Sequence, residues 1–351
     1  MRVKVGCPRQ CAPILVENNK NGMMCVKEFF SCTESQRISQ LPFSIYVPVL
    51  FCLVVGYSIE RRLDHVLGFE ADDIVATNIS FMMVTKITTI IFDVDDCLYD
   101  VGTGFTSHRN TDGATSFMMD NLHFPSREAA QELRDEYFLK YHSTAKGLTA
   151  AEEDGRLPPL PDGVSLQPGE KRFKANELDE YWAANLDFSM LGGPLDQRSV
   201  DTFESLLRSN TQIVGFSNGP RLYVERVLKE IGLAKYFEPE KLFGVTDVLP
   251  HCKPDQSSFE LVLKKVGALP EQCIMVEDSM KNIRAAKSLG MKTILIMGRG
   301  RKHRALNKNA CLSEATKVGD APDDQDQAVD AAVETVAEID TILKEWMVLA
   351  A

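Results

Sequence analysis

From about residue 86 onward, segments with the apolar pattern of a strand alternate with segments that have the apolar pattern of a helix. Short runs of β-branched and aromatic residues predict strands, and the stretches between them carry apolar residues at helical spacing. Such alternation is typical of a parallel α/β sheet, in which a helix connects each strand to the next. The predicted strands are 87–94, 212–217, 241–246, 273–277, 292–297 and 329–334. The predicted helices are 222–231, 257–266, 281–289 and 336–346, with Gly232 and Gly290 where two of them are expected to end.

Residues 99–198 depart from this alternation. No strand is evident there, and three amphipathic stretches at 114–122, 126–145 and 176–184 predict helices. Residues 151–174 are rich in Pro, Gly and acids, so we expect a long exposed loop within this helical insertion. The predicted fold class is therefore α/β, a Rossmann-like parallel sheet with an inserted helical domain. We expect three parts: an N-terminal extension (1–85), the sheet core (86–100 and 199–346) and the insertion (101–198).

The first 81 residues differ in character from the rest of the chain. Residues 38–59 are 22 consecutive positions without a charge, nearly enough for a membrane helix, but Pro42, Pro48 and several polar residues interrupt the run. We favour an unusual extension over a membrane anchor, and we leave association with a membrane open. A third interpretation is that the functional chain begins at Met82 or Met83, just before the first strand.

Charge and cysteine usage argue against some classes of function. The formal net charge is -11, which argues against a nucleic-acid partner because nucleic-acid-binding proteins favour basic surfaces. The nine cysteines include no CxxC pair, so a zinc ribbon or a redox pair is not expected. The later cysteines are scattered, as in a reducing compartment, so we expect a cytoplasmic protein. A basic run at 299–304 leaves nuclear import open as an alternative to a solvated loop.

Polar residues stand at the points where the predicted strands end. They are Asp93 and Asp95 after the first strand, Ser217 and Asn218 after the second, Glu277 and Asp278 at the end of 273–277, and Lys253 before a helix. Each alone has an ordinary explanation as an acidic turn, a helix cap or an exposed lysine. In a parallel sheet, however, the carboxyl ends of the strands share one edge, so these groups are expected to converge in one crevice.

These residue types suit phosphoryl transfer to a carboxylate. Crowded carboxylates repel one another, and a divalent cation that prefers oxygen ligands, such as Mg²⁺, resolves that repulsion. A hydroxyl, backbone N–H groups and a fixed cation can hold a phosphate dianion, and Ser217, Asn218 and Lys253 supply them. A carboxylate nucleophile would form an aspartyl-phosphate, and a carboxyl two residues on would protonate the leaving oxygen and then deprotonate water. We expect neighbouring negative charge to raise the pKa of that second carboxyl, Asp95.

In this order and at these strand ends, the groups resemble the four motifs of the haloacid dehalogenase superfamily of phosphatases, over roughly residues 86–343. The resemblance implies that Asp93 is the nucleophile and that Asp95 is the acid/base. It also implies that the insertion is the cap that members of the superfamily place there, which closes over the crevice and sets substrate choice.

The resemblance further implies how the phosphate and the metal are held. The implied phosphate contacts are Ser217, the Asn218 backbone and Lys253, which would also bridge to the nucleophile. The implied magnesium ligands are Asp93, the backbone carbonyl of Asp95 and Asp278, with Glu277 acting on metal-bound water. True dehalogenases carry no acid two residues after the nucleophile, so Asp95 favours phosphate esters over alkyl halides.

A narrower resemblance concerns the substrate. Residues 95–99 (Asp-Asp-Cys-Leu-Tyr) and 141–148 are similar to segments of the pyrimidine 5'-nucleotidase branch, which implies nucleoside 5'-monophosphates as substrates. His108 and Arg109, which follow the first strand, are further candidates for facing the substrate.

The sequence therefore predicts a phosphoric monoester hydrolase, a magnesium-dependent phosphomonoesterase that forms an aspartyl-phosphate. Its expected partner is a small phosphorylated substrate, with a nucleotide as the main hypothesis. A sugar-phosphate phosphatase or a phosphomutase of the same fold is the nearest alternative, and a non-catalytic regulator on a phosphatase scaffold is another. The pattern gives no indication of the oligomeric state.

Overall fold

A computed structural model describes residues 86–299 and 321–348, together with three short strands near the N-terminus, β1 (Val3–Val5), β2 (Ile14–Asn18) and β3 (Met24–Val26). These three strands form an antiparallel sheet in the order β1-β2-β3.

The chain divides into two compact units, Met1–Phe81 and Met82–Ala351. The uncharged run at 38–59, the starts considered at Met82 and Met83, and residues 300–304 of the basic run lie outside the described residues. Within the described ranges, no helix has the length and hydropathy needed to cross a bilayer.

The second unit is built on a six-stranded sheet. Its strands are β4 (Thr89–Phe92), β5 (Gln212–Phe216), β6 (Leu242–Phe243), β7 (Cys273–Glu277), β8 (Lys292–Ile296) and β9 (Ala331–Val333). They lie in the order β6-β5-β4-β7-β8-β9, and every neighbouring pair is parallel. The predicted fold class, an α/β protein with a Rossmann-like parallel sheet, is confirmed. The first strand of the sheet, β4, lies between β5 and β7, which places its carboxyl end in the middle of the edge.

Helices fill the interval between β4 and β5 and cover the sheet. The interval holds α1 (Phe105–His108), a π-helical turn (Arg109–Gly113), α2 (Ala114–Leu122), α3 (Arg127–Tyr141), α4 (Thr144–Glu153), α5 (Ala175–Asn185) and α6 (Gln197–Arg208). The later crossovers hold α7 (Arg221–Glu230), α8 (Gln256–Val266) and α9 (Met280–Ser288), and α10 (Ile339–Val348) follows β9. The predicted helices at 222–231, 257–266 and 281–289 agree with α7, α8 and α9 to within one residue at each end.

Between β4 and β5 the structure differs from the predicted helices at two points. The stretch at 126–145 is two helices, because His142 adopts a left-handed conformation with φ 55° and ends α3. Ser143 then caps α4 by accepting a hydrogen bond from the Lys146 backbone N–H. The second difference is α6, which no predicted helix covered. Its signal was Asp196, whose carboxylate caps the helix by accepting from the Ser199 N–H at 2.9 Å.

The core is continuous from one face of the sheet into the insertion. Ile90 and Phe92 of β4 belong to the same buried cluster as Phe117 and Trp182 of the insertion. Ile91, which points to the opposite face of the sheet, belongs to a separate cluster. Because β4 is buried on both faces, its sequence is a continuous apolar run, and its polar residues begin only where the strand ends.

Candidate active site

The carboxyl ends of three neighbouring strands form the floor of the site. Asp93 follows β4, and its N–H still donates to the Val276 carbonyl of β7 at 2.9 Å. Ser217 follows β5 in the same way, donating its N–H to the Phe243 carbonyl of β6 at 3.0 Å. Both residues therefore continue the ladder by one position, which fixes their backbone at the ends of the strands. The predicted convergence of strand-end residues is what this topology produces.

Lys253 joins two of the acids. Its Nζ donates to Asp93 Oδ1 at 2.8 Å and to Glu277 Oε2 at 2.7 Å, and each of the three side chains is at most 8% exposed. Asp278 completes the acidic group, since one oxygen from each of Asp93, Glu277 and Asp278 lies within 4.8 Å of the others. Lys253 is therefore paired with two buried carboxylates, and the third, that of Asp278, lies beside them and is partly exposed.

The pKa values of this cluster reflect burial first and the crowding of negative charge second. Burial, reinforced by the charges of Asp278 and Asp95, raises the pKa of Asp93 to about 6 despite the opposing effect of Lys253. Burial and the Asp93 charge also raise the pKa of Glu277. Burial opposes protonation of Lys253, but its two carboxylate partners raise the pKa of the ammonium group above its usual value. The donor set is all oxygen and carries more negative charge than Lys253 neutralises, which fits a hard divalent cation such as Mg²⁺.

Asp95 has a different environment. Its Oδ1 accepts from the hydroxyls of Tyr99 at 2.7 Å and Tyr223 at 2.5 Å, and its Oδ2 accepts from Arg109 Nη1 at 2.5 Å and Ser217 Oγ at 3.1 Å. Burial alone would raise the pKa of Asp95, but the Arg109 charge and the two tyrosine hydroxyls outweigh it, and the pKa is lowered. The expectation that neighbouring negative charge raises this pKa is therefore wrong. The residues that decide this pKa are donors, and one of them, Tyr223, is 128 residues from Asp95 in the sequence.

Arg109 reaches the site and His108 does not. The Arg109 side chain is buried, and its guanidinium stacks over the rings of Trp182 at 5.4 Å and Tyr223 at 5.0 Å. The π-helical turn that begins at Arg109 offsets it from the preceding residue. His108 faces away and contacts Asp112 and the Asp187 backbone N–H. Sequence reasoning named Arg109 but missed Tyr223, for which the sequence gives no local signal.

The loop after β5, whose Ser217 and Asn218 are predicted phosphate contacts, also forms hydrogen bonds that position other residues of the site. Ser217 Oγ accepts from the Gly219 N–H at 2.8 Å while it donates to Asp95. Asn218 Oδ1 accepts from the Lys253 N–H at 2.9 Å, and its Nδ2 donates to the Lys253 carbonyl at 2.8 Å. The Asn218 side chain thus fixes the backbone of Lys253. Only the backbone of Asn218 is then available to a phosphate. The Glu277 carboxylate, placed on Lys253, likewise positions the lysine, and its expected action on metal-bound water stays a prediction.

Comparisons with known proteins bear on this geometry. A family model described as haloacid dehalogenase-like hydrolase matches residues 87–290. A phosphorylated carbohydrates phosphatase of Thermotoga maritima is 36% identical over 232 residues, which cover 65% of this chain and 91% of that protein. Phosphoglycolate phosphatase 1 of Pseudomonas aeruginosa is 34% identical over 93 residues, or 26% of this chain, and the match spans only 33% of that protein.

Among solved structures, CbbY from Rhodobacter sphaeroides in complex with phosphate aligns with a TM-score of 0.47 at 18% identity. That alignment covers 72% of this chain and 96% of the other.

Proposed function

The chain belongs to the haloacid dehalogenase-like hydrolases, and on that premise we propose that it is a magnesium-dependent phosphatase that transfers the phosphoryl group of a small phosphate monoester to Asp93. One observation carries the proposal. The Asp93 carboxylate is fixed at the end of the central strand by Lys253 at 2.8 Å, inside a cluster with Glu277 and Asp278. A carboxylate held in that way is oriented for attack, and the lysine can also neutralise a phosphate oxygen.

The proposed reaction proceeds through two displacements. An Asp93 oxygen attacks phosphorus and forms the O–P bond of an aspartyl-phosphate, while the ester P–O bond breaks and Asp95 gives a proton to the leaving oxygen. In the second displacement Asp95 takes a proton from water, the water oxygen attacks phosphorus, and the bond to Asp93 breaks to release phosphate. Asp93, Asp278 and the Asp95 carbonyl would hold Mg²⁺, which would supply positive charge to offset the negative charge of the phosphoryl group.

The contacts of Asp95 suit its role as the base of the second displacement. With its pKa lowered by Arg109 and the tyrosine hydroxyls, Asp95 is held ionised, which is the form that accepts a proton from water. To act as the acid in the first displacement it must arrive protonated, so we propose that substrate binding weakens its contact with Arg109.

Small sugar-phosphate-like esters are the better-supported substrates. The relatives above carry the names phosphorylated carbohydrates phosphatase and phosphoglycolate phosphatase, and neither name refers to nucleotides. The segment that favoured pyrimidine nucleotides also has an alternative explanation, because Tyr99 donates its hydroxyl to Asp95 at 2.7 Å. Tyr99 thus contacts the proposed acid/base residue whatever the leaving group is. A phosphomutase remains the alternative within the fold, and a requirement for a hexose bisphosphate would reveal it.

The test of the chemistry is Asp93→Asn with p-nitrophenyl phosphate and Mg²⁺. Asparagine keeps the shape of the side chain but removes the nucleophile, so we expect turnover to fall by about 1000-fold or more. Asp201→Asn, which changes an exposed acid on α6, is the matched control and should retain activity. Activity of the Asp93 variant close to that of the control would refute the proposal.

A substrate panel tests the second part. We expect kcat/KM for 2-phosphoglycolate or a sugar monophosphate to exceed that for UMP and CMP by about tenfold or more, a difference of about 1.4 kcal/mol in transition-state binding. The reverse order would restore the nucleotidase hypothesis without affecting the role of Asp93.

A further inference from the structure

The first turn of α7 is capped by a residue of the insertion. Helix α7 begins after Pro220, whose side chain has no group that could accept a hydrogen bond from the helix. The first N–H groups of α7 therefore need acceptors from elsewhere. Asp179 of α5 supplies two, although it lies more than 40 residues earlier in the chain. Its Oδ2 accepts from the Leu222 N–H and its Oδ1 accepts from the Tyr223 N–H, both at 2.9 Å.

The burial of Asp179 makes this arrangement costly. The residue is 4% exposed, and burial raises the pKa of its carboxyl group against the opposing effect of the two N–H contacts. A serine or an aspartate in the place of Pro220 would cap α7 without burying an acid from another element. What the remote acid adds is a fixed connection between α5 and the start of α7.

Helix α5 also contacts Tyr223 at a second point. Trp182 lies three residues after Asp179, on the same face of α5. Its ring packs edge-on against the Tyr223 ring, with 5.7 Å between the ring centres and 69° between the planes. Tyr223 is fully buried, so α5 holds both its backbone N–H and its ring. The position of the Tyr223 hydroxyl, which donates to Asp95 Oδ1 at 2.5 Å, follows from these two contacts.

The Tyr223 hydroxyl helps to decide which oxygen of Asp95 can give a proton. Oδ1 accepts from Tyr99 and Tyr223, whereas Oδ2 is held by Arg109 and Ser217. In a protonated carboxyl group one oxygen carries the proton and the other is free to accept. Two donors on Oδ1 therefore favour the proton on Oδ2, and they also fix the plane of the carboxyl group. A displaced Tyr223 would weaken both effects, and proton transfer depends steeply on such geometry.

We propose that Asp179 is a positioning residue for proton transfer: it holds the start of α7 so that the Tyr223 hydroxyl orients Asp95 toward the leaving oxygen. Asp179 contacts the backbone of α7 and acts only through Tyr223. This inference rests on the proposed phosphatase function and adds to it a residue of the insertion on which protonation of the leaving group depends.

The test compares an ester whose leaving oxygen needs a proton with one whose leaving oxygen does not. The alkyl probe is whichever of 2-phosphoglycolate, glucose 6-phosphate and UMP the wild-type chain hydrolyses fastest, and the aryl probe is p-nitrophenyl phosphate. The measured quantity is kcat/KM for the alkyl ester divided by kcat/KM for the aryl ester. Partial unfolding leaves this ratio unchanged, because it removes the same fraction of enzyme from both assays. Asp179→Ala should lower the ratio by about tenfold.

A double-mutant cycle shows whether Asp179 acts through the tyrosine hydroxyl. Tyr223→Phe removes that hydroxyl and keeps the ring, so it should lower the ratio by about tenfold as well. The double variant should show the loss of one single variant rather than the product of the two. Ser126→Ala is the matched control, because Ser126 caps α3 of the insertion by accepting from the Ala129 N–H at 3.2 Å, and its loss should leave the ratio unchanged.

The conservative variant Asp179→Asn keeps the size of the side chain and one acceptor oxygen, so it should lower the ratio by only about threefold. It replaces Asp179→Ala in every comparison if the alanine variant fails to fold.

The outcomes separate the two proposals. Equal losses on the two esters, or losses that multiply in the double variant, would overturn the positioning role of Asp179 and leave the phosphatase function intact. Hydrolysis of the aryl ester alone by the wild-type chain would show that Asp95 gives no proton, and the positioning role would be overturned with it. If the wild-type chain hydrolyses none of the four esters, the phosphatase function itself fails.

Discussion

At the scale of single residues, Asp93 and Asp95 occupy opposite electrostatic environments although only one residue separates them. Asp93 lies among carboxylates and has a raised pKa, whereas Asp95 lies among donors and has a lowered one. The sequence indicated the first environment, because the acids stand at strand ends of a parallel sheet. It could not indicate the second, because Tyr223 is 128 residues from Asp95 and the π-helical turn that presents Arg109 has no recognisable pattern.

Asp95→Asn should affect substrates according to their leaving groups. Asparagine cannot give a proton to the leaving oxygen, so we expect the rate of enzyme phosphorylation to fall by about 100-fold for an alkyl phosphate. The loss should be much smaller for p-nitrophenyl phosphate, because its leaving oxygen needs no proton. Single-turnover measurement of the phosphorylation step separates this effect from the later hydrolysis. Equal losses for the two esters would argue against an acid role for Asp95.

Lys253 is the residue whose loss should destabilise the fold most at neutral pH. Lys253→Met leaves Asp93 and Glu277 buried without their shared cation, and removal of one partner from a buried ion pair costs about 3–5 kcal/mol. Because the pKa of Asp93 is about 6, the cost should be smaller at pH 5, where that acid is largely neutral. Denaturant unfolding at pH 5 and pH 7.5 measures the difference. Lys264→Met, at an exposed lysine on α8, should change stability little at either pH.

At the scale of elements, the strands and core helices were predictable because burial imposes their periodicity. The insertion was less so, since its helices end at residues such as His142 whose left-handed conformation has no strong sequence signature. The end of α3 at His142 also brings the chain into contact with the site. The turn between α3 and α4 meets the loop after β5, where Asn218 Nδ2 donates to the His142 carbonyl at 3.2 Å and Ser143 Oγ donates to the Asn218 carbonyl at 3.4 Å.

Asn218→Ala tests whether this contact between elements supports catalysis. The substitution removes two hydrogen bonds to the Lys253 backbone and one to His142, so Lys253 Nζ should be held less firmly against Asp93. We expect kcat to fall by about tenfold or more, together with a loss of stability of about 1–3 kcal/mol. Asn121→Ala, at an exposed position on α2, is the matched control and should change neither quantity. A normal kcat in a destabilised Asn218 variant would limit the residue to a structural role.

At the scale of the whole second unit, most of the site is buried. Ser217, Lys253 and Glu277 are each at most 1% exposed, and the insertion packs on the same core cluster as the central strand. Separation of the insertion from the sheet, the motion expected of the predicted cap, stays a prediction. The sequence predicted an inserted helical domain, but its contact with the loop after β5 depends on side chains more than 70 residues apart, which no local pattern encodes.

The stability of the molecule should respond to Mg²⁺ in a pH-dependent way. Asp93 has a folded pKa of about 6 against an ordinary value of 3.8, so between these pH values the native state binds more protons than the unfolded state. In the metal-free protein the contribution of Asp93 to stability therefore decreases as the pH rises through that window, because ionisation adds an unfavourable buried charge. A divalent cation reverses this penalty, but it competes with the proton for the carboxylate.

The expected result is a larger increase in Tm on adding Mg²⁺ at pH 7.5 than at pH 5. At 100 times its Kd a bound ion adds about 2.7 kcal/mol, enough to raise Tm by several degrees in a chain of this size. Asp278→Asn removes one carboxylate of the cluster and should reduce the increase at pH 7.5. Differential scanning calorimetry at the two pH values makes the comparison without reference to activity. An increase that is the same at both pH values, or that survives in the Asp278 variant, would place the metal outside this cluster, because the raised pKa of Asp93 makes binding at the cluster depend on pH.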